Sequence, residues 1–402
     1  MKVVVLAGGA DQIALIKELK KRGCYIILVD YFQNPPAKEY ADLHIVASTL
    51  DDARVKEIAQ GYHADLICTA CTDQALLTVA KVSEELNLPC YISYQTALNV
   101  TNKTYMKQRM SQCSIPTSRY MTTREVDLTQ FADFEFPLVV KPADCNSSKG
   151  VIKVHDSAQL QEKLAEAISF SRTQTAIVEE FKEGVEVSAD FYIEGSDVKY
   201  LSATSSIKIQ NRDSFTIKSS VYPVITLEQR AKITSLAQDI ADAFELTDCP
   251  LLIQMIVNDD EINVIEFSAR MGGGSKYHLI EVLSGVDIMS KYVDLVLGHK
   301  PDVQPEDQVK YARMNYVYCY PGTLDRVEGF EALSADKIID ESFIYKTQGM
   351  TITAAATSGD RAAGYLITAD TEEELARKES VVESVLKVFS AEGQDIMIHN
   401  LV

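Results

Sequence analysis

Two apolar runs, residues 251–257 and 261–267, flank Asn258-Asp259-Asp260, and this pairing constrains the chain more than any other feature. Runs of strand length around an Asn/Asp turn specify an antiparallel hairpin. The second run does not end in the core. It reads Ile265-Glu266-Phe267-Ser268-Ala269-Arg270 and enters Met271-Gly272-Gly273-Gly274. Period-two alternation puts Glu266, Ser268 and Arg270 on one face. With the turn centred on Asp260, Gln254 faces Glu266 and Leu252 faces Ser268, opposite Cβ atoms being roughly 5 Å apart. An amide, a carboxylate and a hydroxyl converging there suit Mg²⁺, and an arginine beside bare glycine backbone suits a metal-bound phosphate. Taken alone, the run reads more readily as a structural ion pair before a loop.

The first hundred residues alternate strand and helix. Strands are expected at 3–6, 25–29, 44–47, 66–69 and 90–92, with helical patterns such as Ile13, Ile16 and Leu19 between them. Such alternation implies a parallel sheet covered on both faces. The turn Ala7-Gly8-Gly9-Ala10 followed by Asp30 looks like a dinucleotide entrance but lacks the GxGxxG spacing, so no dinucleotide site is expected. From Thr101 the pattern changes. A helix spans 103–113, strands 137–142 and 151–154 flank a polar loop, a helix spans 158–170, and strands follow at 176–178 and 186–193. Glu194-Gly195-Ser196-Asp197 is a hairpin turn, and Thr226 with Gln229 opens a long amphipathic helix. The last helix opens at Thr371 with Glu374. The reading is an α/β and α+β chain divided into 1–100, 101–300 and 301–402. The middle part subdivides into 101–135, 136–185 and 186–300.

A net charge of −19 argues against a nucleic-acid partner or an anionic membrane surface. No apolar run approaches the ~20 residues of a membrane span. The opening Met1-Lys2-Val3-Val4-Val5-Leu6 reads as a strand rather than a signal peptide, so a cytoplasmic location with eight reduced cysteines is expected. Cys68-Thr69-Ala70-Cys71 is a CxxC without a second pair or a histidine pair, and is read as packing rather than redox or zinc chemistry.

Three further segments carry chemistry. Lys141 ends an apolar strand and precedes Asp144-Cys145-Asn146-Ser147-Ser148-Lys149-Gly150, small polar residues able to fold over phosphates. Ile177-Val178-Glu179-Glu180-Phe181-Lys182 leaves a strand for a linker, as an adenine-binding edge does, and Glu186 follows on the next strand. Lys208 and Arg212 are candidates for a substrate carboxylate. Each has a competing reading as ordinary solvated surface.

In this order the segments resemble the ATP-grasp superfamily, most nearly its carboxylate–amine ligases, including L-amino acid ligases. Biotin-carboxylase-like and phosphoribosylglycinamide-synthetase-like members share the three-part layout. The resemblance implies an ATP-grasp fold with a Rossmann-like N-terminal domain, a nucleotide-binding core and a mixed C-terminal domain. It implies ATP and Mg²⁺, with Lys103 and Lys141 on the phosphates and Ser147, Ser148, Lys149 and Gly150 closing over them. Glu179, Glu180, Phe181 and Lys182 would frame the adenine, the last two through backbone, and Glu186 the ribose. Glu266, with Gln254 and Ser268, would hold the cation. Arg270 would neutralise the transferring phosphoryl group, and Gly272, Gly273 and Gly274 would admit the substrate carboxylate. Relatives usually carry glutamate at the position of Gln254 and commonly asparagine at that of Ser268, which puts a second Mg²⁺ in doubt. The expected reaction joins a small carboxylate to an amine through an acyl-phosphate. A purine-pathway or carboxylase-type enzyme and a non-catalytic ATP-binding regulator are the competing readings. A homodimer is the default assembly.

Overall fold

The computed structural model describes residues 1–145, 148–210, 215–353, 355 and 357–401. Its first sheet is parallel, ordered Leu43–Val46, Tyr25–Asp30, Lys2–Leu6, Leu66–Cys68. Alternate residues leave on opposite faces. Val3, Val5, Ile26 and Leu28 pack against Leu15, Ile16 and Leu19 of helix Ala10–Lys21. Val4, Leu6, Ile27 and Val29 pack against helices Asp52–Tyr62 and Asp73–Leu86. The chain after strand Lys2–Leu6 thus turns to one face and the chain after Leu66–Cys68 to the other. Between these neighbouring strands lies a switch point, where parallel sheets open a crevice at their carboxyl ends. The strand expected at 90–92 does not form. Ile92 is buried, and the Tyr91 hydroxyl donates to the Ala269 carbonyl at 2.9 Å, so this segment bridges to the next layer.

The main sheet is eight-stranded and antiparallel, ordered Glu261–Ser268, Cys249–Asn258, Val185–Glu194, Asp197–Lys208, Ile217–Tyr222, Tyr311–Val317, Ala363–Ala369, Glu341–Ile344. It runs unbroken across residue 300. On one face Val187, Ala189, Phe191 and Ile193 join Leu251, Ile253 and Met255 beneath helix Leu227–Ala243, which supplies Ile233, Leu236 and Ile240. Thr226 and Gln229 form the expected capping box at its start. Glu186, Ser188 and Asp190 alternate with the core residues and face the other way.

A smaller antiparallel sheet, ordered Tyr120–Thr123, Ala176–Glu180, Leu138–Pro142, Ile152–Val154, lies over the main one. Leu138, Val140, Ala176 and Val178 are buried against Leu160 and Leu164 of helix Ser157–Phe170. Val139, Lys141, Ile177 and Glu179 take the opposite face. A three-stranded sheet, Thr351–Ile352, Gly322–Glu328 and Lys387–Ser390, completes the chain. Among the described residues no helix is long and apolar enough to cross a membrane. All eight cysteines are free, and burial pushes the Cys68 thiol well up, in keeping with packing.

Candidate functional site

The hairpin places its carboxylate by an unexpected route. The turn is the two residues Asp259 and Asp260, with Asp259 at φ 48°, so pairing begins at Asn258 with Glu261. That register alone would misalign Gln254. A shift between Gln254 and Met255 leaves one extra residue, Ile265, on the second strand, and beyond it Gln254 pairs with Glu266 and Leu252 with Ser268. Gln254 also pairs with Ser188 on its other side. Ser188, Gln254 and Glu266 therefore form a row across three strands, facing a cleft of about 660 Å³ between the two antiparallel sheets and the parallel sheet.

Lysines from above meet this row. Lys103 Nζ is 3.0 Å from Glu266 Oε2 and donates to the Cys145 carbonyl at 2.9 Å. Burial pushes the Glu266 carboxyl up, but Lys103 and Lys141 outweigh it and hold it below the ordinary range. Lys141 Nζ lies 2.8 Å from Glu179 Oε1, and Lys107 Nζ lies 3.1 Å from the same atom. Glu179 is thus turned onto Lys141 and Lys107, because strand alternation gives it the face of Lys141. Lys107 escaped the sequence reading, although Lys103 and Lys107 stand one helical turn apart in helix Lys103–Gln112.

Burial brings the Lys107 pKa down from its ordinary 10.5 to about 8, with Glu179 opposing the fall. The folded protein therefore gives up this proton before the unfolded chain does. The cost of burying the charge is complete below pH 8 and is relieved as pH rises from about 8 toward 10.5. The stability of wild type relative to Lys107→Met should rise across that window, measured by urea unfolding on either side of it. A difference that stayed flat, or fell, would contradict the assignment.

Other expected contacts are rearranged. Glu180 pairs with Arg119 at 3.4 Å, and the Phe181 N–H donates to the Pro137 carbonyl at 3.1 Å, while both residues line the cleft. Lys153 Nζ sits 3.6 Å above the Phe181 ring, while Lys182 reaches toward Glu261 at 3.6 Å. Glu186 accepts from Lys208 Nζ at 2.6 Å, which ties a ribose candidate to a substrate candidate across neighbouring strands. In the polar loop, Ser148 donates to the Phe215 carbonyl and Lys149 lies over the Phe170 ring. Gly150, at φ +71°, has no room for a Cβ, which would stand 2.7 Å from Phe170. Ser147 and Arg212 lie outside the described residues.

Arg270 has a partner that sequence reading did not supply. Its Nε donates to Asp73 Oδ1 at 2.7 Å and its second terminal nitrogen to Asp73 Oδ2, a bidentate pair. Ser268 Oγ donates to the same carboxylate, which ties this hydroxyl to the Arg270–Asp73 pair. Burial pushes Asp73 up, but Arg270 prevails and its carboxyl ends low. Asp73 opens helix Asp73–Leu86 at the switch point. Asp11, on the other side of that crevice, accepts from the N–H groups of Gly274 at 3.0 Å and Ser275 at 2.8 Å. The Gly8-Gly9 turn therefore brings Asp11 to the triple glycine. Both oxygens of Asp30 are occupied by the Gly8 and Phe32 N–H groups. Position at the carboxyl end of a parallel strand was the available signal for Asp11 and Asp73.

The cleft thus gathers cations, a carboxylate opposite an amide, and a lining of glycine backbone, a set suited to a polyphosphate and a developing phosphoryl charge. Residues 134–277 match the family model described as the ATP-grasp domain. The phosphoribosylamine–glycine ligase of Streptomyces coelicolor is 26% identical over 356 residues, 83% of each chain. The L-amino acid ligase structure from Bacillus licheniformis superposes with a TM-score of 0.78 at 18% identity, covering 97% of this chain and 98% of that one. The biotin carboxylase domain of the Hydrogenobacter thermophilus 2-oxoglutarate carboxylase, in complex with MgADP, gives 0.78 at 16% identity over 96% and 90%. This chain carries an ATP-grasp domain within the fold that these proteins share.

Proposed function

We propose that this protein is an ATP-dependent carboxylate–amine ligase working through an acyl-phosphate, on amino acids or other small carboxylates. The observation that carries this reading is the convergence of Lys103, Lys141, Glu266 and Arg270 on one cleft that Gly272, Gly273 and Gly274 also line. Lys103 and Lys141 bind the phosphates, each exchanging a protein carboxylate for a phosphate oxygen. Glu266, with the Gln254 amide opposite, has the hard-oxygen chemistry that Mg²⁺ requires, and the cation would neutralise phosphate charge there. Ser268, whose hydroxyl donates to Asp73, would offer its oxygen lone pairs at the edge of that set. Arg270, held by Asp73, stabilises the phosphoryl group as a substrate carboxylate attacks the γ-phosphorus and ADP leaves. An amine then displaces phosphate to form the amide. Small residues around Ser148 and Gly150 close the cleft and keep water from the acyl-phosphate.

The test is ADP release screened over paired amino acids and small carboxylates, with mass spectrometry of the products. Release that needs a carboxylate, with amide formed when an amine is added, is the expected outcome. ATP binding that no carboxylate or amine converts into ADP release would leave a nucleotide-binding regulator instead.

A further inference from the structure

Cations crowd the cleft, and most face an acid. Lys103 has Glu266, Lys141 and Lys107 share Glu179, Arg270 has Asp73, and Lys208 has Glu186. Two buried cations have no acid within ion-pair distance among the described residues, although Asp190 acts on Lys276 electrostatically from farther away. Lys276 donates to the hydroxyls of Ser188 at 2.6 Å and Thr204 at 3.5 Å, and among the described residues no carboxylate stands within ion-pair distance of it. Arg361 is 8% exposed and likewise has no acid within ion-pair distance among the described residues. Its guanidinium lies 3.5 Å over the Tyr316 ring and one terminal nitrogen meets Ser358 Oγ at 3.3 Å, while the buried Nε has no hydrogen-bond partner. Asp11 is within electrostatic range but already receives the Gly274 and Ser275 N–H groups.

A guanidinium taken out of water with no carboxylate in ion-pair contact is costly, which suits it to an anion that arrives with a ligand. Arg361 is placed for this. It lines the same cleft as Arg270, and Gly274 lies against it, since a Cβ there would collide with Arg361 and stand 2.9 Å from the Tyr316 hydroxyl. Gly272, Gly273 and Gly274 join the two arginine regions. Lys208, the cation that the sequence offered for a substrate carboxylate, is neutralised by Glu186, whereas Arg361 from the far end of the chain is not.

We propose that Arg361, with Lys276 beside the triple glycine, receives a non-reacting anionic group of the substrate, a carboxylate or a phosphate. The substrate class is then a small molecule with two anionic ends, one activated near Arg270 and the other held by Arg361. This assignment rests on the ligase reading for the role of the first end and stands independently for the second.

The first test titrates malonate, succinate and inorganic phosphate by calorimetry into the full chain with a non-hydrolysable ATP analogue bound. Wild type should bind at least one of them. Arg361→Gln should weaken that binding tenfold or more and Arg361→Lys by less, with the affinity for the ATP analogue unchanged in both. Equal binding by wild type and Arg361→Gln, or none by wild type, overturns the proposal. The lysine variant, which keeps the charge, guards against misfolding of the glutamine variant. The second test compares ADP release with aspartate against asparagine, glutamate against glutamine, and phosphoserine against serine. A wild-type preference of tenfold or more for the charged member, collapsing toward one in Arg361→Gln, supports the subsite, and the preferred pair tells carboxylate from phosphate. ADP release without such a preference sinks the subsite and leaves the ligase. Arg361-dependent anion binding without any ADP release sinks the ligase and leaves the subsite.

Discussion

Arg270→Ala should lower the rate of ADP formation by about a thousandfold or more, the scale on which arginines at transferring phosphoryl groups act. The nucleotide dissociation constant should change little, because Lys103 and Lys141 remain. The structure adds a second consequence. Arg270 and Asp73 form a buried bidentate pair, so removing the guanidinium strands a carboxylate. Breaking a buried pair from one side costs about 3–5 kcal/mol, and thermal unfolding should register a loss of that order. Adding Asp73→Ala should recover stability without recovering activity, which separates the folding role of the pair from its catalytic one. Asp73→Asn keeps a hydrogen bond to Arg270 but not the charge, and should lower kcat while leaving nucleotide affinity alone. Near-normal turnover in Arg270→Ala would refute the placement of this arginine at the reacting phosphate.

Lys141→Ala should lower ADP formation at sub-saturating ATP by roughly ten- to a hundredfold, through nucleotide binding. A hydrogen bond to a charged group is worth about 1.5–3 kcal/mol, or roughly ten- to a hundredfold in affinity. That loss should appear for ATP and ADP and be much smaller for adenosine, which has no phosphate for Lys141 to meet. Stability should fall less than in Arg270→Ala, because Lys107 still neutralises Glu179 from 3.1 Å. Equal weakening for adenosine and ATP, read from equilibrium titrations, would place Lys141 away from the phosphates.

Much of the architecture was legible from local pattern. Strand and helix periods gave the parallel sheet and the helix capped by Thr226, and they gave the hairpin that carries Glu266. Alternation correctly put Gln254 opposite Glu266, although by an incomplete argument. The turn is one step tighter than its composition suggests, and the bulge at Ile265 restores the alignment. A bulge has no side-chain signature here, so the two offsets were invisible. Residues 90–92 show the opposite failure, apolar enough for a strand yet buried against another layer rather than paired.

What the sequence determined by itself is the identity of the local faces: Glu266, Ser268 and Arg270 together, Lys141 on the cleft side of its strand, and a triple glycine beyond. Only the tertiary structure decided how those charges are paired. Asp73 meets Arg270 across 197 positions of chain, Asp11 meets Gly274 across 263, and Arg361 arrives from beyond residue 350 with no acid in ion-pair contact among the described residues. The physical reason is range. Periodicity is set by backbone geometry over a few residues, whereas these partners come together only when the parallel sheet, the eight-stranded sheet and the C-terminal strands close around one cleft.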